Sequence, residues 1–122
     1  MRNMSFSMTT DQLVDGSKDV TRRIGWQNVR PGDRIQAVKK GMGLKKGEKA
    51  EKLVVITVVS VRQEPLYRID KAECVREGFP DMEPEEFVTM FMAANRCEKH
   101  TIVTRIEFKR DLPAGWPFQK VM

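Results

Sequence analysis

The stretch "LVVITVVSVR", Leu53 to Arg62, constrains this chain more than any other. It is β-branched, almost continuously apolar and free of Gly and Pro, so it reads as a strand. A strand that is apolar on both faces belongs at the centre of a sheet and is covered on each side, as in a small barrel. The rest of the chain must supply its neighbours.

The flanking segments do so. "RPGD", Arg30 to Asp33, places Pro and Gly at the centre of a type II turn and leads into the strand "RIQAVKK". "SFSM", Ser5 to Met8, alternates as a short strand, and "TIVTRIEFKR", Thr101 to Arg110, as a final one. In "DVTRRI", Val20, Arg22 and Ile24 point one way, Thr21 and Arg23 the other. Short helices interrupt this pattern. "TTDQLVDG" has capping-box spacing between Thr9 and Gln12 and a Gly16 stop. In "DKAECVREG", Asp70 caps and Gly78 ends a helix. Pro84 opens "EPEEFVTMFMAAN", where Phe87, Met90, Phe91 and Ala94 form an apolar stripe that reads as core. There is no regular βαβ alternation. The expected fold is α+β, a small mixed β-barrel with short helices flanking a cleft. The 122 residues suit one core. Residues 1–110 are expected to form a single domain, with 111–122 a tail bearing Trp116 and Phe118 packed on or beside the barrel.

Composition excludes some functions. No run approaches the roughly 18 to 20 apolar residues of a membrane helix. The opening "MRNMSFSMTT" lacks a signal-peptide core. The only cysteines, Cys74 and Cys97, fit a reducing compartment, so a cytoplasmic location is expected. Cys97 and His100 have C-x-x-H spacing, but only Cys74 remains to complete a zinc set, so neither a metal nor another cofactor is expected. The net charge of +5 admits an anionic partner. Much of it lies in "KKGMGLKKGEKAEK", with six Lys against two Glu. This segment reads either as a solvated hairpin tip or as a lip whose Lys39, Lys40, Lys45 and Lys46 touch phosphate beside a cleft.

The chemistry-bearing stretch is "DGSKDVTRRIGW", Asp15 to Trp26. Lys18, Thr21, Arg22 and Arg23 crowd between a Gly and a Trp. They read either as a charged surface turn or as the rim and floor of a polar cleft. Trp26 reads as core or as a base-stacking floor.

"DGSKDVTRRIGW…VRPGDRI" resembles the opening of the ASCH domain, where G-x-K-x-x-T-x-R precedes a G-D turn and a strand. "ECVREGFPDMEPEEFVTMF" is similar to the family's middle and "VTRIEFKR" to its closing strand. The resemblance runs from Ser5 to about Arg110. It implies a PUA-like β-barrel and a ligand that is RNA or a modified nucleoside. The residues leave the oligomeric state open between a monomer and a weak homodimer. A small bacterial branch of the family hydrolyses N4-acetylcytidine. By similarity, Lys18, Thr21 and Glu77 occupy its catalytic positions, and Arg23 matches the family's Arg. The resemblance then implies Thr21 as nucleophile, Lys18 as base and Glu77 as acceptor or proton shuttle, with Arg23 on the acyl oxygen or on Glu77. A metal-independent ribonuclease is a weaker variant, since the only His, His100, is far from the motif. The chain differs from the hydrolase branch in its longer Lys-rich hairpin and Trp-bearing tail.

Overall fold

The spine of the sheet is β4, Lys52–Pro65, paired antiparallel with β3, Arg34–Val38, on one side and β5, Ile102–Asp111, on the other. The computed structural model describes residues 1–40 and 45–112. Beyond β3 lies β1, Asn3–Ser5, which runs parallel to it, and beyond β5 lies β2, Val20–Arg23, which runs antiparallel. The strand order is β1-β3-β4-β5-β2. The α-helices are α1, Thr10–Asp15, α2, Lys71–Arg76, and α3, Pro84–Asn95. A 3-10 turn, Leu66–Arg68, follows β4.

The α+β expectation holds, and the barrel is an open one, because no ladder joins the edges β1 and β2 among the described residues. The sheet nevertheless curls strongly. A flat sheet would hold the β1 and β5 lines about 14 Å apart. Instead the ring of Phe6, just past β1, meets that of Phe108 on β5 edge to face at 5.9 Å. The guanidinium of Arg23, on β2, lies 4.8 Å from the same Phe6 ring. The inner face of the curl is the main core, with Met4, Ile35, Ala37, Val54, Ile56, Val58, Ile106 and Phe108, and Leu13 of α1 packs into it.

β4 is central, but it is fully buried on one face only. Val54, Ile56 and Val58 are buried, whereas Val55 and Thr57 are half-buried and Val59 is exposed. The run of β-branched residues reports sheet position more than two-sided coverage. At Val59 the register with β5 slips by one residue, from Val58↔Phe108 to Ser60↔Glu107. This bulge exchanges the faces. Beyond it Val61 packs inward against the core, and the polar Ser60, Arg62 and Glu64 turn outward. There they join the outward residues of β5 and β2.

A second apolar cluster lies on that outer side. Phe87 and Phe91 of α3 pack with Leu66, Ile69, Cys74 and Val103. Asp70 caps α2 by accepting from the Glu73 N–H at 2.8 Å, as expected. Glu86 accepts from the Glu83 N–H at 3.0 Å at the start of α3. Thr9 makes no side-chain cap bond, while Gly16 does take the left-handed conformation, φ +87°. The first strand sits earlier than "SFSM", and Ile24 is exposed beyond the end of β2. Of the expected tail 111–122, Asp111 closes β5 and Leu112 packs on the core; Trp116 and Phe118 lie outside the described residues. Among the described residues no helix is long and apolar enough to cross a membrane.

Candidate functional site

A cleft of about 200 Å³ opens between the segment after β1, the start of β2 and the stripe of α3. One wall is polar: Ser5, Ser7, Thr9, Lys18, Thr21, Arg22, Arg23 and Glu77. The facing wall is apolar: Phe79, Phe87, Met90, Phe91 and Ala94. The α3 stripe therefore does double duty, buried at Phe87 and Phe91 and presented to the cleft along its edge. Its periodicity alone reads as core.

The polar wall is ordered by pairs. Lys18 is 3% exposed, and its ammonium donates to the Glu77 carbonyl at 2.7 Å and to Glu77 Oε1 at 2.7 Å. Glu77 is the C-cap of α2, so the helix end delivers both acceptors. Gly78 follows in a left-handed conformation, φ +95°. A Cβ there would lie 3.1 Å from the Gln12 side chain and 3.4 Å from Lys18 Cβ, so this close approach needs glycine. Burial lowers the Lys18 pKa below its ordinary 10.5; the Glu77 charge and hydrogen bond oppose the fall, and Arg23 and Arg22 add to it.

β2 splits its residues between the two faces. Thr21 and Arg23 are on the inner side, where Arg23 Nε donates to Thr21 Oγ1 at 3.0 Å. That bond leaves the Thr21 hydroxyl proton available. No carboxylate lies within salt-bridge distance of Arg23 among the described residues, and desolvation lowers its pKa to about 10 against the opposing, smaller pull of the Glu77 charge. Arg22 points to the outer side. Its Nη1 donates to Glu77 Oε2 at 3.3 Å and its Nη2 to Glu73 Oε1 at 2.8 Å. So Arg22, not Arg23, holds the Glu77 carboxylate. Burial would lower the Arg22 pKa, but the charges of Glu77, Glu73 and Glu64 outweigh it and raise it.

The register explains why Glu73 matters. Arg22 pairs with Arg105, and Arg62 pairs with Arg105, so three arginines stand in a row across β2, β5 and β4. Like charges directly opposite one another destabilise a sheet. Glu73 of α2 meets all three: Arg105 Nε donates to Oε1 at 2.8 Å and Nη2 to Oε2 at 3.1 Å, and Arg62 Nη2 donates to Oε1 at 3.4 Å. Burial would raise the Glu73 pKa, but the hydrogen bonds and charges of Arg105 and Arg22 win and lower it to about 2. Arg62 also pairs with Glu64, and Arg76 with Asp19 and Glu107. Sequence reading missed Glu73, Arg62 and Arg105 because the row exists only through strand register and the bulge at Val59.

The remaining expected site residues are placed elsewhere. Trp26 does not line the cleft; it packs on the main core, and the Arg2 guanidinium lies 3.7 Å from its ring centre. Lys39, Lys40, Lys45 and Lys46 are exposed and do not line the cleft. Lys39 nonetheless starts close to its rim, since the Phe6 N–H donates to the carbonyl of the preceding Val38 at 2.8 Å. Lys39 and Lys40 lie 4.0 and 3.9 Å from Glu51 and Glu48.

No protein-family model and no curated protein matches the chain. Its likeness lies in solved structures. Protein EF3133 from Enterococcus faecalis V583, of the DUF984 family, superposes with a TM-score of 0.64 at 15% identity, over 90% of this chain and 76% of that one. The hypothetical protein PH0355 gives 0.61 at 16% identity, over 89% and 95%. The ASCH domain from Lactobacillus crispatus JV V101 gives 0.61 at 12% identity, over 89% and 78%. With the curled sheet, its flanking helices and these superpositions together, the fold of the chain is that of the ASCH domain.

Proposed function

We propose that the cleft binds a nucleoside or nucleotide unit, free or within RNA. The observation that carries this reading is the contrast between its walls. Arg23 and the hydroxyls of Thr21, Thr9 and Ser7 offer hydrogen-bond donors, while the one carboxylate lining the cleft, Glu77, is already engaged by Lys18 and Arg22. Such a wall suits a ligand rich in acceptors, such as a base carbonyl or a phosphate oxygen. The facing Phe79, Phe87 and Phe91 offer an apolar surface suited to a flat ring. At about 200 Å³ the cleft falls below the ~300–1,000 Å³ of typical drug-sized pockets. It suits one ring system, with the Lys-rich hairpin outside meeting flanking phosphates.

A second reading, hydrolysis of N4-acetylcytidine or a related N4-acylcytosine, is supported by Lys18, Thr21 and Glu77 lining one cleft. Thr21 would attack the acyl carbon while neutral Lys18 takes the hydroxyl proton and Arg23 stabilises the developing oxyanion; that proton would pass through Glu77 to the leaving cytosine amine as the C–N bond breaks, and water would then hydrolyse the acyl-threonine to the carboxylate and restore the Thr21 hydroxyl. In the structure Lys18 Nζ is committed to Glu77, so this chemistry requires Lys18 to give up its proton and, as the neutral amine, to swing toward Thr21 when substrate binds.

Calorimetric titration with cytidine, cytidine 5′-monophosphate and a short single-stranded RNA tests the binding reading, beside a time course with N4-acetylcytidine. Binding that is lost in Arg23→Gln is expected. Folded wild-type protein that binds none of them would overturn the proposal. Turnover lost in Thr21→Ala would move the conclusion to the second reading.

A further inference from the structure

The cleft reading makes no use of Glu73, which does not line the cleft. We propose that Glu73 is a positioning residue: by occupying one arm of Arg22 it leaves Glu77 to Lys18 and so governs how firmly Lys18 holds its proton. The geometry is a relay of shared contacts. Lys18 takes Glu77 Oε1, Arg22 Nη1 takes Glu77 Oε2, and Arg22 Nη2 takes Glu73 Oε1. Glu73 is in turn gripped by Arg105 from β5 and reached by Arg62 from β4 and Arg76 from its own helix.

The consequence follows from charge. Lys18 faces Glu77 from α2 and the cations Arg22 and Arg23 from β2. Arg22 opposes protonation of Lys18, though less than burial and Arg23 do, and Glu73, 2.8 Å from Arg22, offsets that charge. Glu64 of β4 contributes less, at 3.4 Å from Arg22. Glu107, paired with Arg76 and 4.0 Å from Arg105, lies one contact further away. Without the Glu73 charge, Arg22 is free to take Glu77 with both arms. Lys18 then loses part of its carboxylate and meets a less compensated cation, and both effects favour the neutral amine. With Glu73 in place, Arg22 is held away from Glu77 Oε1, and Lys18 keeps that oxygen as its partner. The effect of this on binding or turnover rests on the proposed function of the cleft, but the titration of Lys18 itself does not.

The test is an NMR titration of the lysine side chains in 13C,15N-lysine-labelled, ligand-free protein, with Lys18 assigned through Lys18→Met. In Glu73→Gln the Lys18 midpoint is expected to move to lower pH. In Arg105→Gln, where Glu73 is less neutralised, it is expected to move to higher pH. A role in packing alone gives one sign for both, because loosening admits water and returns Lys18 toward its ordinary value. Should Glu73→Gln fail to fold, the double variant Arg105→Gln/Glu73→Gln strands no arginine at 105, and its Lys18 midpoint is expected below that of Arg105→Gln alone. A midpoint unmoved or raised on removal of the Glu73 charge in the folded background would overturn the proposal. These results stand whether or not any nucleotide binds.

Discussion

Replacing Glu73 by Gln should destabilise the fold in a way that fades in acid. At neutral pH the carboxylate holds Arg22, Arg105 and Arg62, two of them buried. Breaking a buried pair on one side typically costs about 3–5 kcal/mol, because the partner charges remain. The charged part can be sized separately. Against burial, the Arg105 and Arg22 contacts lower the Glu73 pKa from 4.5 to about 2. That depression corresponds to about 3 kcal/mol of stability. Its sign is that of a depressed carboxylate: the contribution is complete above about pH 4.5 and disappears as pH falls through about 2. Urea denaturation of wild type and Glu73→Gln at pH 7, 5, 3 and 2 therefore has a definite expected shape. The gap between them should be largest at pH 7, unchanged at pH 5, and smaller by about 3 kcal/mol near pH 2. A gap that stays constant across this range would refute the reasoning, since it would mean that packing, not charge, fixes the value of Glu73.

Other consequences are separately measurable. Gly78→Ala should cost at least about 1 kcal/mol in denaturant unfolding, because its positive φ and the contact with Gln12 and Lys18 both resist a Cβ. Leu13→Ala, at a position with 0% exposure, should cost about 2–5 kcal/mol and lower the melting temperature without altering ligand selectivity. Neutralising Lys39, Lys40, Lys45 and Lys46 together should flatten the salt dependence of RNA binding, by a log–log slope of up to about 3 for four phosphate contacts on a single strand. It should leave binding of a free nucleoside unchanged, since none of the four lines the cleft.

Much of this arrangement is legible in the sequence, and the reasons differ by element. The helix ends were readable because capping is local: Asp70 three residues before Glu73, Pro84 at a helix start and Gly78 after its end act on their own neighbours. The residues of "GSKDVTRR" left a surface turn and a cleft wall both open, and it was the resemblance to the ASCH domain that favoured the wall; the alternation told only that Thr21 and Arg23 leave the strand on the side opposite Arg22. For Trp26 the sequence left core and base-stacking floor both open; the ring packs on the core, and what could not be read locally is the Arg2 guanidinium over it. The sequence pointed to a small barrel but not to whether it closes. Closure depends on whether two edge strands meet, and the residues of β1 and β2 carry no mark of it.

The bulge at Val59 ties these levels together. A regular strand through "VVSVRQE" would turn Ser60, Arg62 and Glu64 toward the inner face already filled by Val54, Ile56 and Val58. One extra residue sends them outward instead, and the same step brings Arg62 into line with Arg105 and Arg22. A row of three arginines then requires a carboxylate from the helix that covers it. Glu73 meets that requirement from within α2, and Glu77 at the end of α2 lies one turn away, within reach of Lys18. The position of the cleft pair thus follows from the strand register: the charge that makes the outer face tolerable also fixes the helix whose last turn builds the cleft wall.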